Sequence, residues 1–127
     1  MKKKYFLINS QYVLNTLGYL LSDIPGLRSS YLFGSTALDT NKENSDIDIL
    51  IIWKKLPTFA SLRLLKTKLV FFFEKKIDLV NMQYTTKYVN FSYSDQNFID
   101  DIYYYCIPTH SRYDKYDLYF SNIICKI

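Results

Sequence analysis

The segment Ser45–Trp53, SDIDILIIW, restricts what this chain can become more than any other. Its apolar residues suit a buried strand, yet two aspartates stand in it one residue apart. Strand side chains alternate between faces, so Ile47, Ile49 and Ile51 fall on one side and Asp46, Asp48 and Leu50 on the other. A charge in such a strand is costly unless something compensates it. The chain must therefore bring a polar or charged partner to these two carboxylates. The same setting recurs in KIDLVNM, residues 76–82, where Ile77 and Leu79 share one face and Asp78 takes the other. If the two strands are neighbours, three carboxylates converge. Their mutual repulsion raises pKa values or calls for a cation.

The elements around these strands set the fold class. NSQYVLNTLGYLLSDIPG places Val13, Leu14, Leu17, Leu20 and Leu21 at helical spacing, with Asn9 or Ser10 as cap and Pro25-Gly26 as stop. LRSSYLF is a short strand ended by Gly34, and STALDTN is one or two helical turns with Ser35 as a candidate cap. TFASLRLLKTKLVFFFEKK is the longest helix candidate, capped by Thr58 and with lysines expected in its last turn. Helix, strand, helix, strand, helix, strand is the order of an α/β (α+β) domain, a small mixed β-sheet flanked by helices. At 127 residues a single domain spanning 1–127 is expected. Residues 83–127 form an aromatic-rich C-terminal extension, rich in tyrosine and expected to pack. In it SDQNFIDDIYYY reads as a helix capped by Ser94, while YYYCI and RYDKYDLYFSNIICKI suit helix or strand.

Several function classes are disfavoured. The Lys2-Lys3-Lys4 start is followed by only four apolar residues before polar Asn9-Ser10-Gln11, too few for a signal peptide, and no run approaches a membrane span. The expectation is a cytoplasmic protein with no membrane partner. A net charge of +4 suits an anionic ligand but is too small to argue for nucleic acid. Cys106 and Cys125 form no CxxC pair, and one histidine, His110, is too few for a zinc site of the His/Cys type. The thiols read as reduced and packed, and His110 as a surface or capping residue.

Carboxylate oxygens without nitrogen or sulfur suit Mg²⁺ or Mn²⁺, which keep water and take substrate phosphates as further ligands. Two such ions can clamp both oxygens of an in-line phosphoryl displacement. Gly34-Ser35, between a strand and a helix, adds a backbone that a phosphate can approach, free N–H groups and a hydroxyl. Phosphate cradle, connection and metal ligands within one segment describe a nucleoside triphosphate site.

The run Phe33–Trp53, FGSTALDTNKENSDIDILIIW, resembles the signature of the DNA polymerase β-like nucleotidyltransferase superfamily, and more narrowly that of the minimal nucleotidyltransferases (MNT). Their pattern is Gly-Ser-x-Ala-Arg-Gly, a short gap, then Ser-Asp-x-Asp-Leu. Gly34, Ser35, Ala37, Ser45, Asp46 and Asp48 match it, with 12 positions from Gly34 to Asp46. Leu38-Asp39 stands where the family has Arg-Gly. The resemblance spans about residues 10–82 and implies a nucleotidyltransferase fold. It implies that Asp46, Asp48 and Asp78 bind two metal ions and are catalytic, with Asp78 on the metal that activates the acceptor. It implies that Gly34 and Ser35 hold the β- and γ-phosphates of ATP. The implied reaction is transfer of NMP, AMP by expectation, to a protein or other acceptor hydroxyl. Proteins of this kind often stand beside a HEPN-type toxin as its antitoxin, which makes a toxin an expected partner, with a homo-oligomer as another. The alternative is a catalytically weak or inactive nucleotide-binding antitoxin that acts by contact. Small-molecule and RNA-directed transferases fit less well, because few residues remain after Met82 for a further domain.

Overall fold

β2 (Ile47–Trp53) is the central strand, and each of its residues except Asp48 is buried. The computed structural model of the chain describes residues 8–109 and 114–127. Five strands form one mixed sheet: β1 (Leu27–Phe33), β2, β3 (Ile77–Tyr84), β4 (Ile107–Pro108) and β5 (Ser121–Lys126), in the order β4-β1-β2-β3-β5. β2 and β3 run parallel, and all other neighbours are antiparallel. The parallel pair needs a crossover, and α3 (Phe59–Phe73) supplies it. α1 (Ser10–Leu21) precedes β1, and α4 (Tyr93–Tyr105) follows β3. A 3₁₀ helix, Lys115–Phe120, leads into β5.

The two faces of the sheet bury separate layers. Ile47, Ile49, Ile51 and Trp53 pack with Val13, Leu17 and Leu21 of α1 and with Leu62, Leu69 and Phe73 of α3. Leu50, Ile52, Val80 and Met82 pack on the other side with Tyr31, Ile99, Ile102 and Leu118. The alternation expected of SDIDILIIW is thus realised, and Asp48 shares its face with the α4 layer. A buried polar link on the first face is the Trp53 indole N–H, which donates to the Asn81 side-chain oxygen at 2.9 Å across the β2–β3 pair. The C-terminal half packs as expected of its aromatics, with Tyr103 against Tyr104, Tyr116 and Tyr119.

Some boundaries differ from the sequence reading, each for a local reason. β2 begins at Ile47, leaving Asp46 just ahead of it, and β3 runs from Ile77 to Tyr84. Ser92, not Ser94, caps α4 by accepting from the Asp95 N–H. α3 is capped by Thr58 as expected, but Glu74 turns left-handed (φ 53°) and ends it before Lys75 and Lys76. The expected basic last turn therefore does not form. Cys106 and Cys125 are free thiols, and burial pushes the Cys106 thiol up to about 11, so it stays protonated. Among the described residues no helix is long and apolar enough to cross a membrane. His110 and the Lys2–Lys4 start lie outside the described residues.

Candidate active site

Asp48 and Asp78 occupy the same register position on the parallel strands β2 and β3. Partners across a strand pair project to the same side of a sheet, so the two carboxyl groups meet. Each lies at the start of its strand, where the apolar run has begun on one face and the other is still partly open. Burial first, and then the facing carboxylates of Asp78 and Asp46, push the Asp48 carboxyl from 3.8 up to about 7. In the free protein Asp48 therefore keeps its proton to a higher pH than an ordinary carboxyl, which lets two adjacent acids avoid full repulsion.

Asp46 stands next to this pair, in the last residue before β2. Its carboxylate faces the Lys76 ammonium at 3.9 Å. The loop that carries it is fixed from several sides. Ser45 folds back on Lys42, accepting from the Lys42 N–H at 2.7 Å. The Ile47 N–H donates to the Lys76 carbonyl at 2.9 Å, joining the starts of β2 and β3. Lys75, largely buried, reaches back to the Glu43 carbonyl. Lys75 and Lys76 thus have separate duties that the sequence, where they read together as lysines of a helix's last turn, did not separate.

Gly34 begins α2 (Gly34–Ala37) with φ +72°, a backbone state that glycine adopts without strain. The space a Cβ would fill is taken by Asp48: an added methyl would lie 2.0 Å from the Asp48 Oδ2. Glycine is needed here because the carboxylate crosses directly over it. That places the strand-to-helix turn and the acid pair in van der Waals contact. Ser35 is the second residue of α2; the cap position belongs to Phe33, which offers no side-chain bond, so Ser35 is not the cap expected from sequence.

Leu38 and Asp39 have identifiable places. Leu38 is half exposed at the end of α2. Asp39 is left-handed (φ 53°) and accepts from both the backbone N–H and the hydroxyl of Ser10, at 2.9 and 3.0 Å. Asn9 accepts from the Tyr12 N–H at 2.8 Å. The first turn of α1 is therefore capped twice, once locally and once by the exit of α2. Sequence reading had no signal for this contact, because 29 residues separate the partners.

The donor set suits a hard divalent cation: oxygen atoms only, a pair whose full ionisation is unfavourable until positive charge arrives, and an open side for water and phosphate. Asp48 and Asp78 form the inner pair and Asp46 flanks it. Among the described residues, no group of three or more His, Cys, Asp and Glu side chains is drawn together closely enough to hold an ion unaided. An ion held here would complete its shell with water and substrate oxygens, as Mg²⁺ commonly does.

Residues 15–99 match the family described as polymerase beta, nucleotidyltransferase. No match was found among curated protein sequences. Among solved structures, the chain resembles a toxin–antitoxin complex with AMP-PNP, at 22% identity over 81% of this chain and 73% of that one, with a TM-score of 0.57. It resembles a structure of a tri-AMPylated Shewanella oneidensis HEPN toxin with an MNT antitoxin, at 22% identity over 80% of this chain and 71% of that one, TM-score 0.55. It also resembles the toxin–antitoxin MntA-HepT, at 23% identity over 79% and 71% of the two chains, TM-score 0.53. At these identities the likeness is one of fold.

Proposed function

Because the chain belongs to the polymerase beta nucleotidyltransferase family, we propose that it transfers a nucleoside monophosphate, AMP from ATP, to a hydroxyl of a protein partner. The observation that carries the reading is the in-register Asp48–Asp78 pair, with Asp48 pushed up to about 7 and its carboxylate seated over Gly34. A fold scaffold has no use for two acids held against each other, whereas a triphosphate site with a cation does.

In this reading Asp46, Asp48 and Asp78 would hold two Mg²⁺ or Mn²⁺ ions together with water and substrate oxygens, and Gly34 and Ser35 would face the β- and γ-phosphates. When bound, the ions neutralise the triphosphate and hold attacking and leaving oxygens in line. A cation held there would favour the ionised form of Asp48, offsetting the burial and the facing carboxylates that push its carboxyl up. Asp78 is the residue assigned to accept the acceptor's hydroxyl proton. Lys76 is exchanged away from Asp46, at little cost for a pair so open to water. The partner is a toxin of HEPN type, modified on a hydroxyl-bearing side chain; the chain's structural relatives include a complex with a tri-AMPylated HEPN toxin.

The test is incubation with labelled ATP, Mg²⁺ and the product of the neighbouring gene. Label appears on that protein with the wild type and is absent with Asp48→Asn. Labelled GTP, CTP and UTP in parallel report the base preference. If no nucleotide gives label yet the chain still neutralises its partner, it acts as a nucleotide-binding antitoxin by contact alone.

A further inference from the structure

α3 and α4 lie on opposite faces of the sheet, and each carries a second exposed stripe besides the one it buries. α3 buries Leu62, Leu69 and Phe73. On its other side Leu64 and Phe71, seven residues apart and hence two turns apart on one face, are 55% and 85% exposed. Lys68 lies between them. α3 contains three cations, Arg63, Lys66 and Lys68, and no acid. A helix apolar on two faces normally buries both.

α4 is its counterpart in charge. It buries Ile99 and Ile102. Its outer side carries Tyr93 and Tyr104, 85% and 73% exposed, three turns apart, with Asp101 exposed between them. α4 contains three acids, Asp95, Asp100 and Asp101, and no cation. Asp100 is engaged by Gln96 and by the Tyr119 hydroxyl, whereas Asp101 is open to solvent.

We propose that α3 of one copy docks on α4 of the next, so that the chain assembles head to tail. The outer stripe of α3 is apolar with a cation at its middle. That of α4 is aromatic with an acid one turn from Tyr104. Laid together, each covers the other's exposed rings and pairs Lys68 with Asp101. Contacts of α3 with α3, or α4 with α4, would set Lys68 against Lys68 or Asp101 against Asp101 and are disfavoured. The occupant of each face is thus the other face of the same chain. A contact between two different patches is heterologous, and it closes into a ring or continues as a filament according to the rotation between copies. Neither helix face contributes a residue to the acid pair, so assembly does not depend on the proposed chemistry.

The test is the mass of the purified full chain by analytical ultracentrifugation from 1 to 200 µM, on the order of the range where weak interfaces are populated. Wild type is expected to grow in mass with concentration. Phe71→Glu, Lys68→Glu and Asp101→Lys are each expected to weaken assembly by roughly tenfold or more. A mixture of the Lys68→Glu and Asp101→Lys chains is expected to regain it, because the acid introduced on α3 of one variant then meets the cation introduced on α4 of the other. A wild type that stays monomeric throughout overturns the proposal. So does a dimer that Asp101→Lys leaves intact, which would be an isologous pairing through α3. Native circular dichroism of each variant shows that loss of mass is not loss of fold, since all three positions are exposed.

Discussion

Replacing Gly34 by alanine tests why a glycine stands at the turn into α2. Two separate terms oppose the new methyl. Its backbone sits at φ +72°, where an L-residue costs about 1–2 kcal/mol. Its Cβ would lie 2.0 Å from the Asp48 Oδ2 and 2.9 Å from its Cγ. No Cβ tolerates that approach, so the carboxylate must swing away, for a further ~1–3 kcal/mol of overpacking. The total expected for Gly34→Ala is about 2–5 kcal/mol. A double-mutant cycle with Asp48→Ala separates the terms. Without the carboxylate the nearest remaining atom is the Asp48 Cβ, 3.3 Å away, which a small backbone shift accommodates. Gly34→Ala should then cost only the conformational ~1–2 kcal/mol. The coupling between the sites should therefore be ~1–3 kcal/mol, well above the few tenths that independent sites show. Urea denaturation of the four chains measures it, and transfer to the partner measures the catalytic loss. A coupling near zero would mean that backbone conformation alone selects the glycine and that Asp48 does not depend on it.

Asp39→Ala removes the double bond to Ser10 and keeps a side chain at φ 53°; it should cost about 1–2 kcal/mol in thermal or urea unfolding. Asp39→Gly loses the same bonds but relaxes the backbone, so it should cost less than Asp39→Ala. Asp117→Ala removes the carboxylate that accepts from the Arg28 Nε at 2.8 Å, while the guanidinium keeps its place over the Tyr84 ring; a loss of ~1–3 kcal/mol is expected in denaturant titration. Asp48, raised to about 7 in the folded protein, is more acidic in the unfolded chain. The folded state therefore binds more protons between pH 4 and 7, and stability falls as pH rises through that window. Solvent at this half-buried carboxyl reduces the effect to about 1–2 kcal/mol. Melting temperatures from pH 4 to 8 should show that slope in the wild type, and Asp48→Asn should remove it.

The acid pair was legible from the sequence because strand geometry has a period of two. Asp46 and Asp48 could be assigned a face from their neighbours alone, and Asp78 repeated the pattern with Ile77 and Leu79. What the sequence could not supply was the register, and Asp48 opposite Asp78 comes from the parallel pairing that α3 creates. Gly34 was legible as necessary from the close backbone approach a phosphate needs, and the structure adds a second reason that sequence could not show, the Asp48 carboxylate lying where a Cβ would stand. Leu38-Asp39 looked like a departure in the site because its partner, Ser10, is remote in sequence. The C-terminal half resisted assignment because tyrosine and isoleucine serve short helices and strands alike. Its order comes from packing, as with Leu118 and Ile102 in the layer beneath the sheet.

The free protein bears a cost at the place proposed to do its work. Asp48 is held against Asp78 where neither burial nor a nearby ammonium relieves it; Lys76 faces Asp46 instead. A neutral residue at position 48 would remove the repulsion, so the acidity of Asp48 works against the stability of the empty fold. The same repulsion favours a cation, because binding discharges the pair and stabilises the folded state in proportion to occupancy. Near pH 7 a bound cation should therefore displace part of a proton from Asp48. Gly34 belongs to the same arrangement. With any side chain there, Asp48 would turn outward, away from Asp78, and the repulsion would vanish together with the place where positive charge is needed. The glycine, the pair and the raised pKa are thus one structural solution, in which the turn into α2 keeps two acids closer than they would otherwise stand.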